Sequence, residues 1–144
     1  MKLDRARITQ LVPQAGSMCL LEQVTQWDAS FIECSAAAPG VGHPLVREGA
    51  LPAIAGCEYA AQATAVHAAL AGGADSPRAG MLAKLMDVSL HKPCFAQDEG
   101  ALDVRAELVS RIDKGCLYGF EVAQGGQPVV SGRLIVAFAS TPSA

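Results

Sequence analysis

His43-Pro44-Leu45-Val46-Arg47-Glu48-Gly49-Ala50-Leu51-Pro52-Ala53-Ile54-Ala55-Gly56-Cys57-Glu58-Tyr59-Ala60-Ala61-Gln62 is the stretch on which the reading of this chain turns. A histidine stands in a polar loop, Pro52 stands where a helix can begin, and a single carboxylate, Glu58, interrupts an apolar helical run. Proline suits the first helical position because its missing N–H has no partner to lose there and its φ is already set. From Pro52 to Leu70 the sequence is mostly alanine with Ile54, Val66 and Leu70, and Gly72-Gly73 ends it. A helix this small-sided and nearly uncharged must be enclosed on most sides, since a surface helix shows only an apolar stripe. A carboxylate inside such a helix is costly unless paired, and burial favours its neutral form. Glu58 is therefore a candidate acid, and His43 a candidate partner base.

Working outward, Leu3 to Leu11 has apolar residues at helical spacing and is stopped by Pro13. Met18 to Val24 is an apolar run that reads as a strand. Trp27-Asp28-Ala29-Ser30 has turn chemistry, and Phe31 to Ala38 reads as the returning strand. Beyond the helix and the Asp75-Ser76-Pro77 loop, four strands are expected: Met81–Leu90, Ala101–Ile112, Cys116–Ala123 and Val129–Ala139. Asp113-Lys114-Gly115 and Gln124-Gly125-Gly126 supply the turns between the last three. Leu102, Val104, Ala106 and Leu108 alternate strictly with polar positions, as in a half-buried antiparallel strand. The expected order is a hairpin, one enclosed helix and a four-strand meander, within one α+β domain spanning residues 1–144.

The chain is 51 % hydrophobic and 17 % charged, rich enough to suggest that a second subunit covers part of its surface. A net charge of −3 with no Lys/Arg run argues against nucleic-acid binding. The charged start, Met1-Lys2-Leu3-Asp4-Arg5, lacks the apolar core of a secretory signal, and no run has the ~20 apolar residues of a membrane span. A cytoplasmic protein is expected. Cys19, Cys34, Cys57, Cys94 and Cys116 have no CxxC spacing and read as reduced, buried, small hydrophobes. Histidines and cysteines do not cluster, so no metal is expected.

Leu51-Pro52-Ala53-Ile54, then Glu58-Tyr59-Ala60-Ala61-Gln62, resembles the central helix of the hot-dog-fold 3-hydroxyacyl-[acyl-carrier-protein] dehydratases. Leu11-Val12-Pro13 followed by Met18-Cys19-Leu20-Leu21-Glu22-Gln23-Val24 is similar to that family's opening segment. The wording of these segments is most similar to the aryl-polyene-biosynthesis branch. There are departures: His43-Pro44-Leu45-Val46 replaces a His-Phe-Pro-Gly type loop, and the interval from histidine to acid is one residue longer. Ala53 and Gln14 stand where the family usually has glycine and histidine. The resemblance implies an antiparallel sheet wrapped around one long helix, and a site shared by two subunits, with His43 of one meeting Glu58 of the other.

Dehydration of a 3-hydroxyacyl thioester needs a base for the C2 proton, an acid for the C3 hydroxyl and donors for the thioester oxygen. His43 suits the first role and Glu58 the second; backbone N–H groups of Ala53 and Ile54 at the helix start suit the third. Gln62, one turn after Glu58, is expected to support the site. Arg47, Arg78, Lys84 and Lys92 form a candidate rim for an acyl carrier protein, whose phosphopantetheine would carry the substrate, with no other cofactor. His67 reads as a packing residue, His91 as solvated, and Tyr59 and Cys57 as core. The partner subunit is a second copy or a related hot-dog chain. Two alternatives remain open at this level: a hot-dog acyl thioesterase using Glu58, and a non-catalytic acyl-binding partner subunit.

Overall fold

The computed structural model describes residues 2–11, 19–40, 43–71, 80–96, 100–112 and 114–138. Expectations placed on Pro13, Gln14, Met18, Gly72-Gly73, Asp75-Ser76-Pro77, Arg78, Asp113 and Ala139 lie outside the described residues.

Asp4 caps the first helix, α1 (Arg5–Leu11), by accepting the Arg7 N–H at 3.0 Å. Ile8 and Leu11 are its buried face. Strand β1 (Gln23–Trp27) turns into β2 (Phe31–Ala36) through Asp28, whose Oδ1 accepts the Ser30 N–H and hydroxyl, both at 2.7 Å, and the Phe31 N–H at 3.1 Å. Those bonds, led by the Ser30 hydroxyl, hold the Asp28 carboxyl below its ordinary value. The apolar residues before β1 are core all the same: Cys19, Leu20 and Leu21 are buried without being strand.

After β2, the His43 loop closes through a tight turn in which Glu48 (φ 52°) and Gly49 (φ 78°) are both left-handed. Arg47 and Ala50 exchange backbone hydrogen bonds across it at 2.7 and 3.0 Å. The chain then forms a short strand, β3 (Leu51–Pro52), that pairs with β5 (Cys94–Phe95). Pro52 is consequently extended (φ −60°, ψ 146°) rather than helical. Its missing N–H is harmless in such a short edge strand. A 3-10 turn, Ala53–Ala55, leads into α2 (Gly56–Ala71), so the regular helix starts later than Pro52 suggests.

The main sheet has six strands in the order β1-β2-β6-β7-β8-β4, with β4 Gly80–Leu90, β6 Leu102–Ile112, β7 Gly115–Gln124 and β8 Gln127–Phe138, every pair antiparallel. The expected four-strand meander is thus a meander of three. β4 pairs with β8 on the far side from β6 and forms one edge of the sheet. Alternation within β6 puts Leu102, Val104 and Ala106 inside and Asp103, Arg105 and Glu107 outside. The inner face wraps α2, which is buried from Gly56 to His67 except at Glu58. At Gly56 a Cβ would stand 2.5 Å from Val130 Cγ1 and 3.1 Å from the Phe95 ring, so only glycine lets the helix start this close to β8.

The outer face carries ion pairs. Arg105 pairs with Glu33 and Glu107 and lies 4.6 Å over the Phe31 ring, and Arg133 pairs with Asp87. No helix among the described residues is long and apolar enough to cross a membrane. Of the five cysteines Cys94 is exposed, a correction to the expectation that all are buried, because the short strand β5 leaves its side chain outside the core.

Candidate active site

His43 is brought to the start of α2 by its loop and meets Tyr59, not Glu58, of its own chain. The Leu45 N–H donates to His43 Nδ1 at 3.1 Å, and His43 Nε2 lies 2.7 Å from the Tyr59 hydroxyl oxygen. A neutral imidazole carries one hydrogen. With Nδ1 accepting, that hydrogen is on Nε2, and Nε2–H donates to Tyr59. The rings stack at 6.1 Å with 17° between their planes, and Phe95 packs beyond Tyr59 at 6.4 Å. Desolvation lowers the His43 pKa, keeping the ring neutral at pH 7, and pushes the Tyr59 hydroxyl up to about 12.

Both side chains line a pocket of about 140 Å³, completed by Arg5 of α1, Cys19, Leu20 and Glu22 ahead of β1, and Ala37 and Ala38 after β2. Cys19 is no nucleophile here, because burial raises its thiol pKa more than Arg5 lowers it. Burial likewise raises Cys57.

Glu58 precedes Tyr59 and so leaves the helix ~100° away from it. It is half-buried, in contrast to the enclosed carboxylate expected from the sequence. Gln62 is buried and spans two groups: its Oε1 accepts the Leu20 N–H at 2.8 Å, and its Nε2 donates to Glu58 Oε1 at 3.2 Å. The glutamine therefore ties the carboxylate to the segment entering β1.

The expected donor at Ala53 is already used: its N–H donates to the Pro93 carbonyl at 2.9 Å, as an extension of the β3–β5 pairing. Ile54 stands in the 3-10 turn with an exposed side chain. Among the basic residues, Arg47 folds back onto the carbonyls of Pro44 and Val46, each at 3.0 Å. Lys84 lies on β4, and Lys92 lies beside Pro93, next to the helix start; both are exposed. His91 is exposed and bonds the Ser131 hydroxyl at 2.9 Å. His67 is sealed in the core between Tyr118 and the Asp28 carbonyl. No group of three metal-ligating side chains occurs among the described residues.

Tyr59 is the member of the site that sequence reasoning passed over as core. A signal existed, since a tyrosine enclosed in an alanine helix has to find a partner for its hydroxyl.

A carboxylate-bearing helix clasped by an antiparallel sheet, with a histidine loop at its start, defines a hot-dog-fold protein. The chain belongs to the ApeP-like family, the ApeP dehydratases, whose family model matches residues 6–143. This is the aryl-polyene branch to which the sequence motifs pointed. The dehydratase heterocomplex ApeI:P from Xenorhabdus doucetiae contains a chain that is 28 % identical, with a TM-score of 0.79, over 93 % of this chain and 91 % of that one. A mutant thioesterase from Pseudomonas aeruginosa shares the fold at 12 % identity and TM-score 0.64, over 83 % of this chain and 81 % of that one. A hypothetical thioesterase from Streptococcus pneumoniae, solved with coenzyme A, does so at 12 % and 0.60, over 83 % and 87 %. Among curated proteins none matches.

Proposed function

We propose that this protein removes water from a 3-hydroxyacyl thioester held on the phosphopantetheine of an acyl carrier protein, giving the trans-2-enoyl thioester. The observation that carries the reading is the placement of His43 and Tyr59 in one pocket whose lining does not include Glu58, within a dehydratase family. Glu58, absent from the pocket wall that holds His43, suits a site in which a facing subunit supplies the carboxylate and receives Glu58 in return. The heteromeric ApeI:P complex supports a related hot-dog chain as that second subunit. The edge strand β4, whose side chains from Leu82 to Leu90 are half-buried or exposed, is long enough to take an added strand.

In this reading His43 and the carboxylate of the facing subunit share the acid–base work on C2 and the C3 oxygen, and Gln62 orients the Glu58 that serves the facing pocket. Lys92 and Lys84 are the rim residues best placed to meet an acidic carrier protein, since Arg47 is engaged by its own loop. The test is incubation with a 3-hydroxyacyl carrier-protein thioester, following enoyl absorbance and the mass loss of water, alone and with a related hot-dog subunit. Water loss that disappears in both His43→Ala and Glu58→Ala is expected. Free thiol without enoyl product would instead identify a thioesterase, and retained carrier-protein binding without turnover an acyl-binding subunit.

A further inference from the structure

The pocket needs a hydrogen-bond donor for the thioester oxygen; of the two N–H groups expected at the helix start, that of Ala53 is committed to Pro93, and neither Ala53 nor Ile54 lines the pocket. Another donor stands beside His43. Leu45 N–H occupies Nδ1, so Nε2–H donates to the Tyr59 oxygen. The hydroxyl of a tyrosine has one hydrogen and can accept as well as donate. Here its oxygen is accepting and its own hydrogen is unspent: among the described residues Tyr59 has no other hydrogen-bond partner. The side chain is 1 % exposed, packed on Phe95 and part of the pocket wall. Such a hydroxyl, in a place with little competing water, is a preorganised donor, and accepting from Nε2–H strengthens what it donates.

We propose that Tyr59 is a catalytic residue whose O–H donates to the thioester carbonyl oxygen, and that His43 acts by holding Tyr59 in that orientation. The proposal rests on the dehydratase reading and reassigns the labour within it. His43, with a hydrogen on Nε2 and an N–H on Nδ1, has no lone pair facing the pocket, which leaves the C2 proton to the carboxylate of the facing subunit. That carboxylate takes the proton, the C2–H electron pair becomes the C2–C3 π bond, and the C3–O bond breaks. The carboxyl then returns the same proton to the departing hydroxyl, which leaves as water. Tyr59 keeps its hydrogen throughout and bears the charge that gathers on the thioester oxygen.

The experiment compares wild type and Tyr59→Phe on a 3-hydroxyacyl carrier-protein thioester, with any required hot-dog partner present, and reads the His43 ring nitrogens by 15N NMR. Losing one such donor is expected to lower kcat by ~10²–10³-fold with little change in KM. Wild type should show a protonated Nε2 and a lone-pair Nδ1 above the imidazole titration, whether or not turnover is seen. A melting curve keeps the variant interpretable, since a packing defect would lower the melting temperature along with activity. Wild-type water loss with an unimpaired, folded Tyr59→Phe, or a hydrogen found on Nδ1, overturns the proposal alone. Absence of water loss in wild type overturns the dehydratase reading beneath it.

Discussion

Two histidine–tyrosine pairs, His43–Tyr59 and His67–Tyr118, are both 2.7 Å long, and they run in opposite directions. At His67 the Nε2–H donates to the Asp28 carbonyl at 2.8 Å, so Nδ1 is the acceptor and takes the hydrogen of Tyr118. At His43 a backbone N–H occupies Nδ1, so Tyr59 receives rather than gives. The rings differ too, edge-on at 90° in the core pair and stacked at 17° in the pocket pair. One choice of backbone partner, a carbonyl or an amide, thus decides which tyrosine has a hydrogen left to offer. The core pair is closed and serves to fasten α2 to the β1–β2 turn and to β7. The pocket pair is open at its far end.

The sharpest way to break this contrast is to delete each imidazole. His43→Ala, which releases Tyr59 from its orientation, should lower dehydration by ~10²–10³-fold with the melting temperature nearly unchanged. His67→Ala should do the reverse: it strands the Tyr118 hydroxyl in the core, unfastens α2 from the Asp28 carbonyl, and costs about 3 kcal/mol in a denaturant titration. Gly56→Ala comes next, because its Cβ would press on Val130. We expect a loss of about 2 kcal/mol. Because Gly56 is one turn from Tyr59 and three from His67, activity should suffer while the core tyrosine's fluorescence stays native. Tyr118→Phe should cost about 1 kcal/mol and leave turnover alone, the mirror image of Tyr59→Phe.

Mild acid gives the gentlest contrast. Desolvation lowers both histidine pKa values in the folded state, so the unfolded chain binds protons more readily. Their contribution to stability is complete above about pH 6.5, the ordinary imidazole value, and is lost as pH falls through that value and the lower folded-state ones. His67→Phe should flatten the acid side of the stability curve. A curve unchanged by the substitution would contradict a closed pair at His67.

Much of this architecture can be read from the residues. Alanine density and the lone Glu58 mark an enclosed helix, and the alternation of Leu102, Val104 and Ala106 marks a strand with one buried face. The helix start was harder to place, since Pro52 fits a first helical turn and a short edge strand equally well, and Cys94, more than forty positions away, decides between them. The place of β4 was hidden for the same reason: its partner β8 is distant in sequence, whereas neighbours in sequence suggest a meander. Within the site, His43, Glu58 and Gln62 stood out by their chemistry, and Gln62 proved to bond Glu58 and Leu20. Tyr59 did not stand out, because the direction of a hydrogen bond depends on what the other side of the ring meets, and no local pattern encodes that.

The glycine at the foot of α2 has one more consequence. Neighbouring residues on a helix face ~100° apart, and here Tyr59 lines the pocket of its own chain while Glu58 does not. Gly56, wedged against Val130 and Phe95, leaves the helix little freedom to roll about its axis. The rod behaves like a keyed shaft: its angular setting is machined at one end, and two adjacent side chains are aimed by a residue that has none.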